Sequence, residues 1–79
     1  MKIIYFAWVK DITNKDFEII NNVSNINELK EKLIEIYPDL KKHIDQKVLR
    51  LAVNKEYVIE NVILNTNDEI AIFPPVSGG

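Results

Sequence analysis

Read as an extended chain, residues 2–9 place their side chains alternately on two faces, which predicts a β-strand. Residues 2–9 are rich in β-branched and aromatic side chains, which pack well on a pleated surface. The alternation predicts a strand with two apolar faces and places four residues on one face: Ile3, Tyr5, Ala7 and Val9. The other four lie on the opposite face: Lys2, Ile4, Phe6 and Trp8. A polar turn over residues 11–16 and a second strand over residues 17–21 complete a predicted hairpin.

The next segment changes to the spacing of a helix. Its apolar residues recur three and four positions apart, as on the stripe of an amphipathic helix: Ile26, Leu29, Leu33 and Ile36. Asn25 and Glu28 have the spacing of a capping box, in which each side chain satisfies a free backbone N–H. Pro38 disfavours helical geometry at Tyr37, so the helix is predicted to end there.

The C-terminal half returns to strands. A short irregular or helical stretch over residues 39–46 leads to a half-buried strand over residues 48–54 and then to a short strand over residues 57–59. Another turn leads to the last strand, over residues 69–73. The order β-β-α-β-β-β predicts an α+β fold of the β-grasp, ubiquitin-like kind, with one main helix on a mixed sheet of about five strands. In that fold the first and last strands lie side by side.

The composition limits what this chain does. Its 79 residues make one domain, and 47% apolar with 28% charged residues is typical of a globular protein. A net charge of -2 argues against nucleic acid as a partner. The apolar run near the N-terminus is too short for a signal peptide or a membrane span, so we expect a cytoplasmic protein. Zero cysteines and one histidine exclude thiolate metal sites, a cysteine nucleophile and a histidine cluster.

Two prolines follow the last strand. Pro74 and Pro75 have no N–H to donate, so sheet pairing stops and the chain is expected to leave a domain made of residues 1–73. Residues 74–79 are then predicted to form an extended, flexible tail. Fully stretched, this tail reaches roughly 20 Å from the domain.

The sequence ends on two glycines, Gly78 and Gly79. An enzyme that acts on a chain terminus admits backbone through a narrow channel, where a Cβ near the end collides with the walls. The alternative interpretation is a frayed end without function. We favour the first interpretation, in which the Gly79 carboxylate is the reactive group, because a β-grasp pattern and a proline-stiffened exit accompany the glycines.

The terminal run DEIAIFPPVSGG, residues 68–79, resembles the C-terminal signature of the molybdopterin synthase small subunit, the MoaD-type sulfur carrier. Residues 4–7 and 52–58 are similar to that family as well, and the resemblance covers the whole chain. Asn67 departs from the family pattern, which has glycine in this turn. Asparagine tolerates left-handed geometry, so the departure leaves only the type of turn open.

In this family, an ATP-dependent adenylating enzyme similar to ubiquitin-activating enzymes joins AMP to the terminal glycine, and sulfur then displaces AMP. The resemblance therefore implies that Gly79 carries a thiocarboxylate and that Gly78 grants access to it. The sulfur goes to cyclic pyranopterin monophosphate in the active site of a large, catalytic subunit, with which the carrier forms a heterotetramer. The chain then has no catalytic activity by itself and binds no cofactor, since ATP is used by the activating enzyme.

The resemblance also assigns partner-binding residues. The positions that match an apolar docking patch for both enzymes are Phe6, Tyr57 and Phe73. The tail residues expected to contact the partner are Pro74, Pro75, Val76 and Ser77. Phe6 and Phe73 have the parity opposite to the inward Ile70 and Ile72, so they could form a contiguous exposed patch. The alternatives are a second apolar core or scattered surface aromatics, and we favour the docking patch.

Three residues near the patch have other interpretations. Trp8 either shares the docking face or covers the end of a strand. Arg50 lies on the docking side, where it pairs with partner carboxylates or is solvated. His43 is predicted to be a solvent residue.

Three other functions fit the same tail. A related carrier delivers sulfur to the thiazole of thiamine or to transfer RNA, although residues 73–77 favour the molybdopterin member. In a ubiquitin-like modifier, a lysine amine attacks the activated glycine and leaves a covalent tag. A plain interaction module keeps its function when Gly78 and Gly79 are removed.

Overall fold

The computed structural model describes residues 1–75. The strands are β1 (Lys2–Tyr5), β2 (Phe17–Ile19), β3 (Arg50–Val53), β4 (Glu56–Val58) and β5 (Glu69–Phe73). The helices are α1 (Trp8–Thr13), α2 (Ile26–Ile36) and α3 (Lys41–Asp45), with a 3-10 turn at Pro38–Leu40. Within this range, no helix has the length and apolar character that crossing a membrane requires.

The five strands form one mixed sheet in the order β2-β1-β5-β3-β4. The central pair, β1 and β5, is parallel, with Ile3 opposite Ile70, and the other pairs are antiparallel. A parallel pair needs a crossover connection, and α2 lies in the segment that joins these two strands. This arrangement confirms the predicted β-grasp fold. Strands β2 and β3 are shorter than predicted, and β4 begins and ends one residue earlier.

The core lies between α2 and one face of the sheet. On α2, Ile26, Leu29 and Leu33 are at most 2% exposed, and Ile70 in the central strand is fully buried. Burying each such side chain contributes roughly 1.5–3 kcal/mol of stability. The predicted stripe is therefore the one that packs, except that Ile36 at the end of the helix is 41% exposed.

The N-terminus of α2 is capped by the predicted residues. The Asn25 Oδ1 accepts a hydrogen bond from the Glu28 N–H at 2.9 Å, and the Glu28 Oε1 accepts one from the Ser24 N–H at 2.7 Å. The second bond reaches one residue further back than in the standard capping box. The helix ends at Ile36, two residues before Pro38.

The N-terminal strand is shorter than its alternation predicts. β1 ends at Tyr5 and the chain turns into α1, so that Trp8 and Val9 belong to a helix. Ala7 has φ 54° and ψ -135°, a backbone conformation that cannot continue a strand. The side chain of Val9 is buried as predicted, but from a helix. Ala7 is exposed, so the prediction that it shares one face of the strand with the buried Ile3 and Tyr5 was wrong.

The turn before β5 closes without left-handed backbone at Asn67. The Asp68 N–H donates to the Asn65 carbonyl at 3.0 Å, and the Asp68 carboxylate accepts from the Asn65 N–H at 2.7 Å. The hydrogen bond from the Asn65 backbone is the main reason that the pKa of Asp68 is lowered. Glycine is therefore not required in this turn.

Candidate partner-binding site at the base of the tail

The site forms where β1 and β5 run side by side toward the tail. Tyr5 lies opposite Ile72, and the Phe6 N–H donates to the Ile72 carbonyl at 3.1 Å. Because side chains alternate along a strand, the burial of Tyr5 and Ile72 places Phe6 and Phe73 on the outer face. Two aromatic rings therefore lie beside the point where the chain leaves the sheet.

An open apolar concavity of about 520 Å³ occupies this position. Its lining residues are Phe6, Ala7, Ala71, Phe73, Pro74 and Pro75. Tyr57 extends it toward β4, because its ring packs edge-to-face on Phe73 with the ring centroids 6.2 Å apart. We call these seven residues the apolar patch. None of them carries a charge at neutral pH, so the patch is suited to binding an apolar surface.

The patch continues into a row of apolar side chains across the outer face of the sheet. Strand pairing aligns one residue from each strand: Phe17, Ile4, Ala71, Ala52 and Tyr57. Phe17 and Tyr57, at the two ends of the row, are each 53% exposed. The Lys2 ammonium lies 4.6 Å from the centroid of the Phe17 ring, a cation–π distance. A contiguous apolar row of this kind, half-buried in the middle and exposed at both ends, marks an interaction surface.

Backbone strain at Ala7 accompanies the patch. Its φ of 54° with ψ of -135° belongs to a region that glycine occupies far more readily. The N–H groups of Val9 and Lys10 donate back to the Phe6 and Ala7 carbonyls, both at 3.1 Å, and turn the chain into α1. This turn leaves Phe6 outside while Val9 enters the core. Nothing in the sequence predicts it, because alanine ordinarily avoids positive φ.

A hydrogen-bonded group of ionisable side chains lies on the inner side of the sheet. The Tyr5 hydroxyl donates to the Glu18 carboxylate at 2.6 Å, and the Tyr37 hydroxyl donates to the same carboxylate. Burial, reinforced by Glu18, raises the pKa of both tyrosines. Burial alone would raise the pKa of Glu18, but hydrogen bonds from Tyr37, Tyr5 and Lys15 outweigh it and lower that pKa.

These groups lie away from the patch, and among its seven residues Tyr57 alone has an ionisable side chain. Among residues 1–75, no group of acidic or histidine side chains is arranged to hold a metal ion.

The structure brings five of the predicted site residues together: Phe6, Tyr57, Phe73, Pro74 and Pro75. The other four lie outside the described residues: Val76, Ser77, Gly78 and Gly79. The predicted boundary between the domain and its tail lies after Phe73, the last residue of β5, and Pro74 and Pro75 are the only tail residues in the described range.

The structure also places the three other residues that the sequence analysis considered near the patch. Trp8 does not line the patch, because its ring lies in α1 with its centroid 4.6 Å from that of His43. The prediction that His43 is a solvent residue was wrong, since the ring is half-buried against this tryptophan. Arg50 is exposed opposite Phe73 and makes no salt bridge to any residue in the described range.

Comparison with known proteins is consistent with this geometry. The ThiS family model matches residues 3–79. The molybdopterin synthase sulfur carrier subunit of Dictyostelium discoideum is 43% identical over 83 residues, which cover 99% of this chain and 94% of that protein.

Two solved structures share the fold. A putative molybdopterin converting factor, subunit 1, from Pyrococcus furiosus has a TM-score of 0.84 at 25% identity, with 95% of each chain covered. A complex of subunits 1 and 2 of the molybdopterin-converting factor from Helicobacter pylori contains a chain with a TM-score of 0.72 at 25% identity, covering 99% of this chain and 96% of that one. The present chain therefore belongs to the ThiS family, among the sulfur carrier subunits of molybdopterin synthase.

Proposed function

We propose that this chain carries sulfur as a thiocarboxylate on Gly79 and delivers it to cyclic pyranopterin monophosphate during molybdenum cofactor biosynthesis. The observation that carries the proposal is the apolar patch at the base of the tail, in a chain whose family match extends to Gly79. An uncharged docking surface beside the exit of the tail suits a protein that binds a partner and presents its own terminus to it.

The terminal carboxylate must first be activated, because its charge is delocalised and oxide is a poor leaving group. An oxygen of the Gly79 carboxylate attacks the α-phosphorus of ATP, and pyrophosphate leaves to give an acyl adenylate. A sulfur nucleophile at the oxidation level of sulfide then attacks the acyl carbon, and AMP leaves. The product is a thiocarboxylate, whose soft anionic sulfur attacks carbon readily. After transfer of the sulfur, water supplies the oxygen that restores the carboxylate.

The domain and the tail divide this work. Residues 1–73 form the docking domain, and residues 74–79 span the distance to the partner's active site. Pro74 and Pro75 stiffen the exit, because proline favours the extended polyproline conformation. Val76 and Ser77 contact the channel wall. Gly78 has no Cβ, so the last peptide group enters a channel that any larger residue would block.

Two partners use the same patch. One is an adenylating enzyme similar to ubiquitin-activating enzymes, which consumes the ATP, and the other is the large subunit of molybdopterin synthase. The H. pylori structure, a complex of subunits 1 and 2, supports the second partner. We infer a heterotetramer of two carriers and two large subunits. The large subunit supplies the acid and base groups, because the patch has a single ionisable side chain, that of Tyr57.

Calorimetric titration with the large subunit tests the docking role. Phe6→Ser and Phe73→Ser each remove an aromatic anchor, so each is expected to weaken binding at least about tenfold, as loss of a buried interface aromatic usually does. Ile63→Ser is the matched control, because Ile63 is 80% exposed outside the patch. Equal affinity for the patch variants and the control would contradict the docking role.

A second experiment addresses the tail. Gly79→Ala and Gly78→Val are expected to block adenylation by obstructing the channel, without unfolding the domain. Release of pyrophosphate measures adenylation, and circular dichroism checks the fold. Normal adenylation of both variants would refute the proposed role of the glycines.

A further inference from the structure

One edge of the sheet is open at β4. This strand is last in the sheet order and pairs with β3 alone. Asn54 and Lys55 form the two-residue turn between β3 and β4, with φ of 51° and 71°. Positive φ at both positions is typical of a tight β-hairpin. In such a hairpin the residues on either side of the turn, here Val53 and Glu56, form a hydrogen-bonded pair. Hydrogen-bonded and non-bonded pairs alternate, so the N–H and C=O of Tyr57 point away from β3. They are available to an added strand.

A groove of about 170 Å³ lies beside this edge, between the sheet and helices α2 and α3. Its apolar lining includes Ile44, Leu49, Val58 and Ile59. Ile59 is 87% exposed, the highest exposure of any large apolar residue in residues 1–75. An apolar cavity of about 150 Å³ accommodates a benzene ring. The groove therefore has room for one branched or aromatic side chain from outside. We call it the edge groove.

The rim of the edge groove is positively charged. Lys30, Lys47 and Arg50 line it, and no acidic residue does. Within the described residues, none of the three forms a salt bridge, although Lys10, Lys15 and Lys41 each do. The cluster is notable in a chain of net charge -2. Three unpaired cations around an apolar groove are complementary to acidic residues that flank an apolar one.

We propose that the edge groove binds an acidic, extended segment of a protein partner, which adds to β4 as a strand and inserts one apolar side chain. Main-chain hydrogen bonds to Tyr57 provide affinity, and the groove and its rim provide specificity, as in other cases of strand addition. The site goes beyond the docking patch proposed above, although Tyr57 contributes to both. A second copy of this chain is the competing occupant, because its own β4 segment lies between Glu56 and Glu60, and the experiment below distinguishes the two.

Amide chemical shifts of the isotopically labelled chain test this proposal. The probe is a blocked ten-residue peptide of alternating glutamate and isoleucine, and the control peptide has lysine in place of glutamate. The glutamate peptide is expected to shift the amides of Tyr57 and Ile59 most strongly, and the lysine peptide to leave them unchanged. The double variant Lys30→Glu with Arg50→Glu should bind the glutamate peptide at least about tenfold more weakly. Phe6→Ser should bind it normally, because Phe6 lies outside the groove.

Several results would overturn the proposal. The first is the absence of shifts at Tyr57 and Ile59 with the glutamate peptide, and the second is equal binding of the two peptides. A third is unchanged affinity in the charge-reversed variant, provided that its spectrum shows a folded domain. Shifts of the same amides with protein concentration alone would assign the edge to a second copy of the chain instead. Stronger shifts there with a single-stranded oligonucleotide would assign the rim to phosphate.

Discussion

The two faces of the sheet have similar apolar content but different surroundings. On the inner face, Ile3, Ile70 and Ile72 are at most 1% exposed beneath the helices. On the outer face, Phe17 and Tyr57 are both 53% exposed. Tyr5, Tyr37 and Glu18, whose pKa values are raised or lowered, lie together on the inner side, whereas the apolar patch has no charge.

This difference separates stability from binding. The apolar side chains of the inner face are buried by other parts of the same chain, so these residues determine whether the domain folds. The outer face leaves apolar surface uncovered, which costs solubility and is retained where a partner covers it. Substitutions on the two faces should therefore affect different measurements. We order four such substitutions by their expected effect on the free energy of unfolding.

Ile70→Ala on the inner face should have the largest effect. Ile70 is fully buried in the central strand, so truncation leaves a cavity and should cost about 3 kcal/mol of stability. Urea denaturation followed by circular dichroism measures this loss. Ile19→Ala is the matched control, because Ile19 is 61% exposed on edge strand β2. Similar losses for both variants would contradict the assignment of the two faces.

Glu18→Gln should have the next largest effect, about 2 kcal/mol, because the Tyr5 and Tyr37 hydroxyls then donate to a neutral amide oxygen and the charge assistance to these hydrogen bonds is lost. The folded state lowers the pKa of Glu18 below its ordinary value of 4.5. The carboxylate therefore stabilises the fold above that pH, and this stability disappears as pH falls through the lowered pKa.

Denaturation at a series of pH values checks this prediction. Wild type should lose stability progressively below about pH 4.5, and Glu18→Gln should lose less over that range because it lacks the titrating group. Glu35→Gln, at an exposed position on α2, should follow the wild-type profile. An unchanged acid profile in Glu18→Gln would show that the tyrosine pair does not depend on the charged carboxylate.

Ala7→Gly should have a smaller effect, and in the opposite direction. Glycine adopts the positive φ of this position without a Cβ clash, so the variant should gain about 1 kcal/mol of stability. Thermal unfolding measures the change. Ala52→Gly, in strand β3, serves as a control that should lose stability, since glycine weakens a strand interior. A loss at both positions would mean that Ala7 is not strained.

Phe6→Ser should have the smallest effect on folding. Phe6 is 45% exposed, so the free energy of unfolding should change by only about 0.5 kcal/mol. The same variant should lose affinity for the large subunit, as proposed above. Loss of the fold together with loss of binding would show that the outer face also supports the core.

The sequence was sufficient to predict most of the inner face. Alternation identified Ile3 and Tyr5 as buried, and helical spacing identified Leu29 and Leu33, because these patterns depend only on local geometry. Alternation failed at Ala7, where it continues through a residue whose backbone ends the strand. No pattern in the sequence predicts a positive φ at this alanine.

The candidate site was predicted from the sequence only in part. Strand parity and a family resemblance were enough to group Phe6, Phe73 and Tyr57 in one patch. The Glu18 network was missed, because its partners Tyr5 and Tyr37 are 13 and 19 residues away in sequence. The edge groove was missed for the same reason, since it joins α2, α3 and β4.

The most direct test of the account is the mass of the intact chain after incubation with its adenylating enzyme, ATP and a sulfur donor. We expect one oxygen to be replaced by sulfur, and the replacement should disappear in a variant that lacks Gly79. An unchanged mass with an active enzyme, or a sulfur that persists without Gly79, would contradict the claim that the terminal carboxylate carries the sulfur.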